Sequence, residues 1–162
     1  MAVPLLAYRL SRAKHPPFDG AGAALIGGRW NSRGRPLIYC ARSYAGALLE
    51  LLVHAQLGRL PGRHRCVVVE VPDDVSVETL EPASLPGWEV DDQRVSRAFG
   101  DRWLAERRSA ALLVPSLVAR PFEQNVLINP AHPESARLRV AAPVPVAWDA
   151  RLLGRSKGSE AG

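Results

Sequence analysis

Long apolar runs are absent from this 162-residue chain. None approaches the roughly 20 residues that a helix needs to cross a bilayer, so no membrane association is expected. Residues Met1 to Arg9 hold no basic leader, and no signal peptide is expected. Cysteine is scarce, with Cys40 and Cys66 the only two. Each sits in an apolar segment and reads as a reduced core thiol, which fits a cytoplasmic protein. Together with four scattered histidines they form no metal-ligand spacing, so no metal is expected. Aromatic residues make up only 6% of the chain. The basic stretches Arg59 to Arg65 and Arg102 to Arg108 lack the interleaved aromatics that stack on bases, Trp103 aside. No Gly-x-Ser-x-Gly elbow surrounds Ser116, which argues against a Ser/His/Asp hydrolase. With no internal repeat and no linker, a single domain is expected.

What is present is a globular composition, with 47% hydrophobic and 23% charged residues. The net charge is +5 and the pI near 9.9. A surface of that sign attracts nucleic acid, an acidic protein or an anionic metabolite. One stretch, Phe18 to Asn31, carries more chemistry than the rest. It holds Gly20, Gly22, Gly27 and Gly28, followed at once by Arg29, Trp30 and Asn31. Glycine lets backbone approach a ligand closely. A guanidinium after such a loop suits paired hydrogen bonds to phosphate or carboxylate, and an adjacent indole offers a face for a flat ring. The plain alternative is a glycine-rich turn with a solvated arginine. The dinucleotide fingerprint fails because Leu25 stands where Gly or Ala is wanted and no suitable acidic residue follows. The phosphate-loop pattern fails for want of Gly-Lys-Ser/Thr.

The local pattern predicts an α+β domain. Leu5 to Leu10 reads as a first strand, the glycine stretch as a loop to Pro36, and Leu37 to Ala41 as a second strand. Ser43 is an N-cap for a helix from Tyr44 to Gln56. Arg65 to Val71 is β-branched strand, with Val75 to Leu80 as its expected partner. Asp91 to Ser109 reads as a helix with Val95, Phe99, Trp103 and Leu104 inward. Ala111 to Ser116 is a buried strand; Val126 to Ile128, Arg137 to Ala142 and Val144 to Trp148 are closing strands. We expect the domain to occupy residues 1–150 and residues 151–162 to be a flexible tail.

Glu50 lies within Ala47-Leu-Leu-Glu-Leu-Leu-Val53, where an unpaired buried charge is costly. At about 100° per residue, Ala45, Leu48, Leu49 and Leu52 share one face of the helix. Glu50 falls on another flank with Gly46, Ala47 and His54, small neighbours that leave room for a ligand. The alternative is a surface Glu pairing with His54 at i+4. Tyr39 reads by default as a core tyrosine. Ser116 reads as a local cap, and Asn125 and Asn129 as turn residues or as amides that hold a loop or ligand.

Taken in order, these motifs resemble those of the RES-domain family, named for an Arg, a Glu and a Ser. The match runs through Tyr8-Arg9, Phe18-x-Gly-x-Gly-Ala23, Gly27-Gly-Arg-Trp-Asn31, Gly34, Leu37-Ile-Tyr-Cys-Ala41, Ala47-Leu-Leu-Glu50, Val114-Pro-Ser116 and Asn125-x-Leu-x-Asn-Pro130. It makes Arg29, Glu50 and Ser116 the signature residues. The resemblance implies a split β-sandwich flanked by helices, similar to ADP-ribosyltransferase toxins. It implies the toxin of a bacterial toxin–antitoxin pair that consumes NAD+ as substrate, by degrading it or by moving ADP-ribose onto a protein such as phosphoribosyl pyrophosphate synthetase. The implied partner is an Xre-like antitoxin that covers the active site, with nucleic acid reached only through that antitoxin.

The residues fit that chemistry. Breaking a nicotinamide–ribose bond builds positive charge on the ribose, as in glycosidases. A carboxylate beside it stabilises that charge, and Glu50 is the candidate. Arg29 is expected to hold the diphosphate, with Arg9 as a second contact. Tyr39 and Trp30 are expected to pack against the nucleotide, Ser116 to orient Arg29, Glu50 or the ribose, and Asn125 to bind alongside. No Glu-x-Glu or Gln-x-Glu pair is present, since Leu48 occupies that position, so water, phosphate or a protein side chain remains open as acceptor. Two other classes compete: a ribonuclease-type toxin using two of His15, His54, His64 and His132, and a nucleotide-binding module without catalysis.

Overall fold

The computed structural model describes residues 3–55 and 61–153. Strand β1 (Leu5–Arg12) runs antiparallel to β3 (His64–Val71) in a ladder from Leu5↔Val71 to Arg12↔His64. Two short strands, β7 (Arg139–Val140) and β8 (Val144–Pro145), close the outer side of β3. The other half is built on β2 (Ile38–Ala41), β6 (Gln124–Ile128) and β5 (Ala111–Pro115), with β4 (Val77–Thr79) at its edge. The two halves meet at one registered pair, Tyr8↔Ala41. The sheet splits there and curls into a sandwich.

Side-chain alternation along the strands sorts two cores. Ala111 and Leu113 of β5, Val126 and Ile128 of β6, and Ile38 and Cys40 of β2 meet Ala7 of β1 and Val67, Val69 and Val71 of β3. That is the sandwich interior. The opposite face of the same strands presents Leu112, Val114 and Leu127 to Trp30, Leu80, Trp88, Trp103 and Leu104. β5 is thus buried on both faces, which explains its unbroken apolar run.

Helix α2 (Tyr44–His54) starts as expected: Ser43 Oγ accepts from the Gly46 N–H at 2.9 Å. Helix α3 (Arg94–Glu106) buries Ser96, Gly100, Trp103 and Leu104. Val95, expected inward, is exposed instead. The helix lies directly on backbone, and only small residues fit there: a Cβ added at Gly100 would fall 1.8 Å from the Trp30 carbonyl oxygen. Trp103 is fully buried and donates its Nε1–H to Ser109 Oγ at 2.8 Å, so it is no base-stacking platform.

Three further expectations are corrected. The glycine stretch is not all loop; Ala21–Ile26 forms a short helix, α1, before Gly27 turns the chain at φ 77°. The strand after Pro72 pairs parallel with β5, Val77↔Ala111, and not with β3. Ser76 fixes that docking: its N–H and Oγ bond Glu134, and its Oγ accepts from the Ala110 N–H. The expected strand from Arg137 is only the two residues of β7, because Pro133–Arg137 winds as a 3-10 turn. Ala150–Leu153 forms another such turn, and the rest of the expected tail, 154–162, lies outside the described residues, as does Gln56.

Candidate active site

Glu50 reaches the cleft from α2, and two side chains from the β5 and β6 ends hold it. Ser116 Oγ donates to Glu50 Oε1 at 3.0 Å, and Asn125 Nδ2 donates to the same oxygen at 2.7 Å. Oε2 has no protein donor among the described residues, so one carboxylate oxygen is fixed and the other is available. Ser116 is itself 2% exposed and accepts from the Ala119 N–H at 3.2 Å, which leaves its proton aimed at Glu50. The alternative pairing of Glu50 with His54 does not occur; no His54 ion pair forms among the described residues. Asn129, by contrast, is a buried turn residue bonded to the Leu104 carbonyl and the Ala131 N–H.

Loss of the Ser116 hydroxyl therefore weakens positioning and leaves the charge in place. A hydrogen bond to a charged group contributes about 1.5–3 kcal/mol. Ser116→Ala is expected to lower kcat by about tenfold or more with little change in KM, since each 1.4 kcal/mol is tenfold. Steady-state turnover of the folded variant checks this.

The glycine stretch builds the facing wall. Its last turn is closed by Gly28 N–H to the Asn31 carbonyl at 2.9 Å. Asn31 is fully buried, and its amide donates to the Ala23 and Arg35 carbonyls at 2.8 and 2.9 Å. Tyr39 pins this turn to β2: its hydroxyl donates to Asn31 Oδ1 at 2.6 Å and accepts from the Trp30 N–H at 3.1 Å. Gly28 is required because any Cβ there would sit 2.6 Å from that hydroxyl. Burial pushes the Tyr39 phenol up to about 12, so it stays a neutral donor at working pH.

Arg29 extends from this turn, and its Nη1 donates to the Trp88 and Val90 carbonyls at 2.9 and 3.1 Å. Arg9 donates to the Tyr39 and Asp19 carbonyls at 3.1 and 3.3 Å, while its Nε is buried without a partner. Arg97 donates to the Gly28 carbonyl and to Gln93 Oε1 at 3.2 and 2.8 Å. All three guanidinium groups are anchored on neutral oxygens and none meets a carboxylate among the described residues. Asp92 feels the charge of Arg97 only from beyond ion-pair distance, and guanidinium groups without a contact ion pair suit an anion. Arg97 and Gln93 escaped the sequence reading; their i, i+4 spacing at the start of α3 was the signal available.

Arg9, Arg29, Tyr39, Glu50 and Asn125 line one cavity of about 560 Å³, together with Gln93 and the small residues Gly27, Gly28, Ala41 and Ala47. Trp30 also borders it, but the indole is 3% exposed, stacked on Trp88 at 6.2 Å and edge-on to Phe99 at 6.4 Å. It is wall and core, not a free face for a ring, which corrects that expectation. Ser116 acts from behind Glu50. Of the four histidines, His54 alone borders this cavity among the described residues; His64 is buried on the Gly62 carbonyl and His132 caps a 3-10 turn through Glu134 N–H. No group of three or more His, Cys, Asp or Glu that suits a metal occurs among the described residues. No helix there is long and apolar enough to cross a membrane.

The class defined by this arrangement is a single-domain α+β sandwich whose cleft joins a fixed carboxylate to free guanidinium charge. The family model of the RES domain matches residues 6–149, and the chain belongs to the RES-domain family. It is 43% identical over 142 residues to the "Prs ADP-ribosylating toxin" of Sphingobium sp. (strain YBL2), covering 85% of this chain and 88% of that one. It is 36% identical over 153 residues to "Toxin Res" of Pseudomonas putida, covering 92% and 100% respectively. A chain of the crystal structure of the M. tuberculosis MbcT–MbcA toxin–antitoxin complex shares the fold, with TM-score 0.70, 22% identity and coverage of 89% and 85%.

Proposed function

We propose that the protein is the toxin component of a bacterial toxin–antitoxin system and an enzyme that cleaves the nicotinamide–ribose bond of NAD+. The observation that carries this reading is a carboxylate fixed by Ser116 and Asn125 on the same cavity as an arginine that pairs with no carboxylate among the described residues. The diphosphate lies against Arg29, whose remaining N–H groups supply paired donors, with the charge of Arg9 behind it. The Tyr39 ring and the small residues of the glycine turn admit the nicotinamide ribose. As the bond to nicotinamide lengthens, positive charge grows on the ribose ring, and the free oxygen of Glu50 stabilises it. Nicotinamide is released, and ADP-ribose passes to an acceptor: water, phosphate or a protein side chain. The name of the Sphingobium relative pairs ADP-ribosylation with Prs, which makes phosphoribosyl pyrophosphate synthetase the first acceptor to try. The partner is an Xre-like antitoxin that covers the cavity in the cytoplasm and alone brings the pair to nucleic acid.

Incubating the pure protein with NAD+, with and without phosphate or a cell lysate, separates the acceptors. NAD+ loss in buffer alone marks hydrolysis, loss that requires phosphate marks phosphorolysis, and labelled protein bands from labelled NAD+ mark transfer. RNA cleavage that survives Glu50→Ala and fails in a histidine variant would contradict the reading. Arg29→Ala removes the charge and the donor fork together. It is expected to lower kcat/KM by about 100-fold or more with KM strongly raised, and Arg29→Lys to recover only part, because an ammonium is a point charge without the fork.

A further inference from the structure

We infer that the outward face of α2, with the basic cavity at its C-terminal end, is the docking surface for an amphipathic helix of the antitoxin whose apolar ridge is flanked by acidic residues. The inference rests on the toxin–antitoxin reading above and adds the surface and its chemistry.

Surface helices normally bury their apolar stripe and turn polar residues to water. Helix α2 does the reverse. Its cavity side carries Ala47, Glu50, Leu51, Val53 and His54, with Gly46 buried beside them. Its outward side carries Ala45, Leu48, Leu49 and Leu52 and not one polar group. Tyr44 and Leu49 are 38% and 40% exposed. Leu48 and Leu52 are half-buried, and Ala45 is exposed. A contiguous apolar ridge of this kind marks an interaction surface. Among the described residues, none of these side chains belongs to either core cluster.

Charge decides what covers it. Beside the end of α2 lies a second cavity of about 940 Å³ whose described lining includes Arg12, Lys14, His54, Arg63 and His64 and no carboxylate. Arg12, Lys14 and Arg63 take part in no ion pair among the described residues. A second copy of this chain, docked across a two-fold axis on α2, would bring these like charges together, in a protein already at +5. A partner with an apolar ridge and acidic flanks meets both features at once. The surface also continues into the site, since Leu51 and His54 border both cavities. An acidic flank that enters the basic cavity therefore lies next to the Glu50 cavity.

The test uses the purified product of the small reading frame adjacent to this gene as the probe. Leu49 and Leu52 line neither cavity, so Leu49→Glu and Leu49→Glu/Leu52→Glu should keep NAD+ turnover. The single variant is expected to weaken antitoxin binding by about 10-fold and the double by about 100-fold or more, in the range of interface anchor residues. Arg12→Glu/Arg63→Glu should weaken it and flatten its dependence on salt. A Leu49→Cys thiol, against two buried native cysteines, should be alkylated freely in the toxin alone and slowly in the complex. If the parent binds the antitoxin and the double variant binds it equally well, the surface is wrong while the toxin–antitoxin reading stands. If the parent binds no such partner, that reading fails and takes the inference with it.

Discussion

Glu50→Gln is expected to abolish turnover by about 1,000-fold or more while NAD+ still binds within about threefold of the parent affinity. Gln keeps the size of Glu and an oxygen that accepts from Ser116 and Asn125, so the cavity geometry is retained. What disappears is the negative charge beside the proposed ribose site. That charge matters little to bound NAD+ and greatly to the cationic transition state, so the loss falls on kcat and not on binding. Glu50→Ala should lose turnover likewise. Calorimetric titration of NAD+ and rates of nicotinamide release, measured on the same preparations, separate the two effects. A Gln variant that turns over at near-parent rate would remove Glu50 from the chemistry.

Gly100→Ala is expected to destabilise the fold by about 3 kcal/mol or more and to lower Tm by roughly 10 °C, since 1 kcal/mol corresponds to about 2–4 °C at this size. The added methyl would fall 1.8 Å from the Trp30 carbonyl oxygen, which belongs to backbone and cannot rotate aside. Helix α3 must then lift off the turn that presents Arg29, so NAD+ affinity should fall with stability. Gly22 gives the control: it lies in α1, a Cβ there meets nothing within 4 Å, and Gly22→Ala should be neutral or stabilising. Thermal melts of the two variants decide it, and equal Tm values would show that the α3 contact is not rigid.

Much of the fold was legible locally. Ser43 announces α2 because a hydroxyl before an apolar helical run satisfies a free N–H, and β3 is legible because Val67, Val68, Val69 and Val71 prefer a pleated surface. The position of β4 was not legible. Its parallel partner β5 lies 34 residues on, counted from Val77 to Ala111, and Glu134, more distant still, ties it down. The sheet split at Tyr8↔Ala41 has no local signature either, since it follows from how two ladders diverge.

The site was legible as residue types and not as contacts. Glu50 stood out because a charge in a leucine run needs a reason, but its two donors come from 66 and 75 residues away. Trp30 misled because an aromatic beside an arginine suits a ligand as well as a core; Trp88 and Phe99, far along the chain, claim it for the core. Helix α2 is the sharpest case. Its periodicity is correct, yet its apolar stripe faces outward, because small residues and a carboxylate are what the cavity side demands. Periodicity reports that a face is apolar and is silent on whether the chain itself or another molecule covers it.

The central claim is that this cavity cleaves the bond between nicotinamide and ribose. Free nicotinamide is common to hydrolysis, phosphorolysis and transfer, so proton NMR of NAD+ incubated with the pure protein, phosphate and a cell lysate tests the claim whatever the acceptor. Nicotinamide signals should grow with the parent protein and stay flat with Glu50→Gln. NAD+ that remains intact with the folded parent in all of these conditions would contradict the account.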